Sequence, residues 1–139
     1  MLVRADSIEP NNATIISAIG NIYFHIARVD TAIVLFRKAI SIDSNYRGAY
    51  LNYGTALNYK KSYTDAISIL LRGNAIRKDT DDSYAFYGTI AWSYFYLGKC
   101  SEAKLYITKA DQASLQKSKT VRASIENLSV LIRDSCQSK

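Results

Sequence analysis

The stretch from Gly20 to Ala39, GNIYFHIARVDTAIVLFRKA, returns 34 residues later as GTALNYKKSYTDAISILLRG, from Gly54 to Gly73. Gly20 recurs as Gly54, Ala32 as Ala66 and Ala39 as Gly73. Bulky residues keep step with these small ones: Ile16 with Tyr50, Ile19 with Tyr53, Tyr23 with Leu57 and Phe36 with Leu70. Asp30-Thr31-Ala32-Ile33 matches Thr64-Asp65-Ala66-Ile67 in kind. Self-similarity at one fixed period is the mark of a stacked repeat architecture.

A third copy, AWSYFYLGKCSEAKLYITKA from Ala91 to Ala110, follows if the period lengthens once to 37. Gly54 then maps to Ala91, Leu57 to Tyr94, Ala66 to Ala103, Leu70 to Ile107 and Gly73 to Ala110. The extra residues fall near Asp79-Thr80-Asp81-Asp82-Ser83, a polar stretch suited to a longer loop and a helix N-cap. Run backwards, the register places Leu2 under Phe36, Ala5 under Ala39 and Pro10 under Ser44. Leu2 to Asn12 therefore reads as the end of an earlier unit, and its phase points to a cut inside a longer protein.

Each copy reads as two helices. Ala13 to Ala27 carries Ile16, Ile19, Gly20 and Tyr23 on one face, and Thr31 to Ile42 carries Ala32, Leu35, Phe36 and Ala39. Small residues at Gly20 and Ala32 let antiparallel backbones approach, while Tyr23 and Phe36 fill the space beside them. A lone helix pair cannot bury both of its faces, so the pairs must stack. After the third copy, Val121, Ile125, Leu128 and Ile132 share one helical face, with Lys119, Arg122, Glu126 and Arg133 off it. That is the pattern of a terminal cap. Only one Pro and 6 Gly in 139 residues agree with helices and short links.

The pattern resembles the tetratricopeptide repeat family, a helix–turn–helix of about 34 residues with small residues at the crossing. Gly20, Tyr23, Ala32, Phe36 and Ala39 carry the resemblance in the first copy. Gly54, Leu57, Ala66, Leu70 and Gly73 carry it in the second, and Ala91, Tyr94, Gly98, Ala103 and Ala110 in the third. Departures are Ile16, Tyr50 and Tyr87 at the usual Trp, and Ser44, Lys78 and Leu115 at the usual closing Pro. The resemblance implies an all-α, right-handed superhelix of about three helix-turn-helix repeats plus a C-terminal capping helix. The expected units are a truncated repeat at 1–12, full repeats at 13–46, 47–80 and 84–117, and the cap and tail at 118–139.

It also implies a non-catalytic scaffold that holds a peptide or protein segment in a concave groove formed by the first helices. Once the inner stripe is assigned, large aromatics remain: Phe24, Tyr59, Trp92, Phe95 and Tyr96. Such side chains concentrate at binding hot spots. Asn21, Asn52 and Asn58 offer amides that both donate and accept, and Thr55 and His25 fall on the same side. These ten residues form the expected groove. Tyr23, Tyr50, Tyr53, Tyr63, Tyr87 and Tyr94 are assigned instead to the repeat core. A family sub-class clamps a C-terminal carboxylate with Lys, Arg and Asn. Here Asn21 and Asn52 fit the Asn places, but Ser17, Ala85 and Thr89 stand where cations are needed. Alternatives are self-association through the half-repeat at Leu2–Asn12 and a compact secretion-type chaperone.

Other classes find little support. No nucleotide, hydrolase or zinc motif occurs, and His25 is the only His, so neither cofactor nor metal is expected. The net charge of +6, from 18 Lys+Arg against 12 Asp+Glu, is dispersed in pairs such as Arg37-Lys38 and Lys60-Lys61. This reads as a solvated outer coat able to steer an acidic partner rather than a nucleic-acid face. No run of about 18 apolar residues exists to cross a membrane. Met1 to Asp6 lacks the apolar core of a signal peptide, so a cytoplasmic setting is expected. Cys100 reads as a buried apolar residue because Val29 and Tyr63 stand in its place in the other units. Cys136 reads as a free thiol in a tail.

Overall fold

The computed structural model describes residues 12–77 and 82–137. The expected half-repeat lies outside them except for Asn12. The described residues form seven helices: α1 Ala13–His25, α2 Val29–Ile42, α3 Arg47–Tyr59, α4 Tyr63–Ile76, α5 Ser83–Tyr96, α6 Cys100–Ala113 and α7 Lys119–Ser135. No strand occurs among them. Helices pack as the pairs α1–α2, α3–α4 and α5–α6. Each pair stacks on the next, and α7 closes against α6 with a smaller contact to α5. The first helices approach one another, α1 to α3 and α3 to α5, whereas the second helices α2, α4 and α6 do not. The stack therefore curves with its first helices inside.

The recurring small residues explain the pairing. A Cβ at Gly20 would sit 2.7 Å from Phe36 Cε1, and one at Gly54 would sit 2.5 Å from Leu70 Cδ2. Both distances are below any real carbon contact, so only hydrogen fits there. In the third pair Ala91 and Ile107 occupy these places, and both are fully buried. Ala32, Ala66 and Ala103 are likewise sealed from solvent. Phe36, Leu70 and Ile107 are the large residues that these small ones admit, and each is almost completely buried.

Each pair turns by the same device. Ala27, Lys61 and Gly98 have φ of 66°, 64° and 77°. One residue later, the amides of Arg28, Ser62 and Lys99 donate to the carbonyls of Tyr23, Leu57 and Tyr94 at 2.9, 2.8 and 2.9 Å. Ala27, Lys61 and Gly98 also donate, to Phe24, Asn58 and Phe95. These two bonds per turn make a Schellman cap, whose left-handed residue favours Gly. Only the third turn has one. Elsewhere the ends are tied by Asn12, whose Oδ1 accepts from Ile15 N, and by Tyr50, whose hydroxyl donates to Ser44 O at 2.9 Å.

Arg47, at the start of α3, is buried beneath the second and third repeats. Its Nε donates to Gly73 O and its Nη2 to Asn74 Oδ1, each at 3.3 Å, and its Nη1 pairs with Asp82. The guanidinium lies 4.7 Å over the Phe86 ring. A buried charge is tolerated only with such partners. Arg47 thus holds α3, the end of α4 and the start of α5 together.

The cysteines correct the sequence reading. Cys100 and Cys136 form a disulfide, with Cα atoms 5.8 Å apart. Neither is a free thiol, and Cys136 is buried rather than in a tail. The reason is topological: α7 folds back antiparallel along α6, so its end arrives at the start of α6. The bond closes 36 residues of chain. Tyr63, assigned to the core, is only half-buried at the start of α4 and faces the inner side, as described below.

Three substitutions test this packing by urea denaturation. Gly54→Ala should lose about 1–3 kcal/mol through overpacking against Leu70. Ala27→Gly should gain about 0.5–1 kcal/mol by relieving the left-handed residue. Cys136→Ser should lose about 2–4 kcal/mol by opening the closed chain.

Candidate functional site

The inner side of the stack holds a groove of about 730 Å³. α1 contributes Phe24; α3 contributes Leu51, Asn52, Thr55, Asn58 and Tyr59; and α5 contributes Tyr84, Ala85, Gly88, Thr89, Trp92 and Tyr96. Lys61 and Tyr63 come from the second turn and the start of α4, and Ser124, Ile125 and Leu128 come from α7. Among the described residues Lys61 is the single charged one in this lining, and no carboxylate joins it.

Aromatic rings organise the surface. Phe24 meets Tyr59 edge to face, with centroids 5.7 Å apart, which joins the first repeat to the second. Tyr63 stacks on Tyr96 at 5.4 Å and 15°, which joins the second to the third. Trp92 leans on Tyr96 at 4.8 Å. Contacts of this kind add about 0.5–1.5 kcal/mol beyond area burial. They leave Tyr59 64% and Tyr96 49% exposed, so each ring keeps surface for another molecule.

Of the residues expected from the sequence, Phe24, Asn52, Thr55, Asn58, Tyr59, Trp92 and Tyr96 meet in this groove. Asn21, His25 and Phe95 do not line it. His25 is exposed at the end of α1, with its ring edge-on to Phe24 at 5.6 Å. Phe95 packs against the core around Ala91, Ile107 and Ile132. It is rotated away because it follows Tyr94, whose place is the inner stripe.

Two of the three amides are engaged inside the protein. Asn58 is buried; its Nδ2 donates to Thr89 O at 3.4 Å, and its Oδ1 accepts from Ser93 Oγ at 2.7 Å. Asn52 Nδ2 donates to Ser17 Oγ at 3.2 Å, and Ser17 is buried. These bonds join α1 to α3 and α3 to α5. Buried amides leave such partnerships only at a cost. Thr55 Oγ1 donates to its own helix at Leu51 O.

The contribution of α7 was not foreseen. Ile125 and Leu128 belong to the apolar face assigned to capping, but the cap overhangs the groove, and Ile125 Cδ1 lies 3.2 Å from the Cβ position of Gly88. Glycine at position 88 keeps α7 close to α5. No group of three or more metal-ligating side chains occurs among the described residues.

The comparisons with known proteins agree with this architecture. Residues 13–46 match the family model of the tetratricopeptide repeat. The fold is that of a tetratricopeptide repeat solenoid. The Yersinia enterocolitica type III secretion translocator chaperone SycD, in an alternative dimer, matches with a TM-score of 0.80 and 14% identity, over 88% of this chain and 92% of that one. SycD in complex with a peptide of the translocator YopD matches at 0.76 and 15%, over 86% and 91%. The first repeat domain of Spaghetti (RPAP3), bound to the HSP90 peptide SRMEEVD, matches at 0.73 and 20%, over 87% and 93%. No curated protein sequence matches the chain. At such identities the likeness extends to the fold and not to the ligand.

The amide assignments predict a contrast in stability by thermal or urea unfolding. Asn58→Ala removes the buried amide that ties α3 to Ser93 Oγ and Thr89 O, leaves Ser93 Oγ its bond to Thr89 O, and should cost about 0.5–1.5 kcal/mol. Thr55→Ala, on the exposed groove floor, should stay within about 0.5 kcal/mol of the parent.

Proposed function

We propose that this protein is a non-catalytic interaction scaffold that seats an apolar segment of a partner protein in the groove of α3, α5 and α7. One observation carries the reading: aromatic side chains from three successive repeats meet along one groove whose lining, among the described residues, holds a single charge. Its volume lies in the range of formed ligand sites. The rings offer large contact area with few rotatable bonds. The peptides held by SycD and by Spaghetti support the same use of the fold.

The chemistry narrows the segment. A carboxylate clamp lacks its cations, since Ser17 is buried and Ala85 and Thr89 line the groove without charge. The residues seated inside are therefore uncharged and aliphatic or aromatic. Acidic flanks suit the dispersed positive charge outside and Lys61 at the turn. A compact secretion-type chaperone is the second reading, favoured by the match to SycD over nearly the whole of both chains. A cytoplasmic setting would hold Cys100 and Cys136 as thiols, whereas the bonded pair suits an oxidising one.

The test is an array of short peptides probed with the parent chain and with Trp92→Ala plus Tyr96→Ala. The parent should bind peptides of uncharged aliphatic and aromatic residues. The double variant should lose about tenfold to a hundredfold in affinity while keeping its helical circular dichroism. Equal binding by a folded double variant removes the groove assignment.

A further inference from the structure

Helix α7 serves two ends at once, and the disulfide closes the far one. Its first half supplies Ser124, Ile125 and Leu128 to the groove, opposite Tyr84, Gly88 and Trp92 of α5. Its last turn packs Ile132 and Cys136 into the core of the third repeat. No further helix covers its outer face among the described residues, where Val130 and Leu131 stand 51% and 41% exposed. The polar ties to α6 are long ones: Ser129 Oγ and Arg133 Nη2 each reach Asp111 Oδ2 at 3.4 Å. The contact of α7 with α5 is the smallest between packed helices among the described residues, and elements held by few contacts lie at the low end of local stability. The strongest constraint on the far end of α7 is thus the covalent bond from Cys136 to Cys100, the first residue of α6.

We infer that the Cys100–Cys136 bond is a redox gate on the groove. With the bond closed, α7 stands as a groove wall and Trp92 is shielded beside Ile125 and Leu128. With the bond open, α7 comes away from α5 and the wall is lost. Cys100 is the more exposed of the pair and lies at a helix N-terminus beside the exposed Lys99. A dithiol reductant opens the bond in two exchanges. One reductant thiolate attacks Cys100 Sγ, forming a mixed disulfide and expelling the Cys136 thiolate, which takes up a proton. The second reductant thiolate then displaces Cys100 Sγ, which is protonated in turn, and the reductant leaves as a cyclic disulfide. Two electrons and two protons pass to the protein. The consequence for ligand binding rests on the interaction reading above; the movement of α7 does not.

Trp92 is the only Trp in the chain, so its fluorescence reports the groove wall directly. The experiment compares the intact chain without reductant, with dithiothreitol, and after reoxidation, using acrylamide quenching of Trp92 and hydrogen exchange over residues 119–135. Reduction should raise the quenching constant about twofold or more and speed exchange in α7 about five- to a hundredfold, both reversed on reoxidation. A Cys100→Ser, Cys136→Ser double variant should match the reduced state and ignore dithiothreitol. Quenching and α7 exchange that do not change on reduction overturn the gate. The peptide array, probed in both redox states, separates the two readings. Peptides retained only by the oxidised chain support gate and groove together, and equal binding in both states overturns the gate's control of the groove. Binding in neither state removes the interaction reading, and Trp92 quenching still decides whether the bond holds the wall.

Discussion

The closeness of two helix backbones at each crossing is the constraint on which the rest depends. Phe36 and Leu70 reach full burial only because Gly20 and Gly54 present hydrogen where any carbon would collide. The crossing fixes how each second helix lies on its first. The pairs then stack on one another through what remains of their apolar faces: Tyr50 and Leu57 of one pair cluster with Phe86 and Ile90 of the next. A repeat of identical crossings gives a curved stack, and the curve puts α1, α3 and α5 side by side on its inner surface. The groove is a consequence of packing geometry before any ligand is considered.

That inner surface must also hold the first helices together, and this determines what is left for a partner. The short polar side chains are committed to the stack: Ser17 with Asn52, and Asn58 with Ser93 and Thr89. Each pair lies near the repeat spacing, so each bond ties one first helix to the next. What projects beyond them is aromatic. Several cations are drawn elsewhere: Arg47 into the interior, Lys60 to Asp30 at 2.6 Å, and Lys109 over Tyr87 and Tyr106. Under the proposed function, a groove that is apolar inside and positive at a distance would select its ligand by shape and hydrophobic fit, with charge acting on encounter.

The parts legible in the sequence are those that chain spacing alone imposes. Small residues at 34 and 37 mark crossings because a crossing recurs at a fixed distance along the chain. Phe24, Tyr59, Trp92 and Tyr96 were found by subtraction, as aromatics the crossings do not use. Tyr63 was misplaced because the first residue of a second helix faces the inner side when the next repeat brings an aromatic such as Tyr96 against it. Asn58 was assigned to a ligand because its partner, Ser93, lies a full repeat away. Arg47 and the disulfide break the period altogether. Arg47 has no basic counterpart at Ala13 or Tyr84, and Cys136 has no counterpart in any repeat. A non-recurring residue carries no spacing signal, so its partner emerges only once the chain is folded. Gly98 does carry a local signal: a Gly at the third turn marks the left-handed cap that Ala27 and Lys61 share with less suitable side chains.

The end of the stack shows how a structural requirement becomes a functional one. A stacked array must terminate in a helix that is apolar on one side and charged on the other, and α7 satisfies this with Ile125, Ile132 and its outward Arg122, Glu126 and Arg133. A cap that only sealed α6 would need no contact with α5. Here Gly88 removes the side chain that would hold the two apart, and the cap slides far enough to meet Tyr84 and Trp92 across the groove. Whatever loosens the end of the chain therefore also reshapes the groove. Stability at the C-terminal helix and affinity on the inner face are two readings of one contact, and the position of Cys136 at the far end of that helix gives redox chemistry leverage over both.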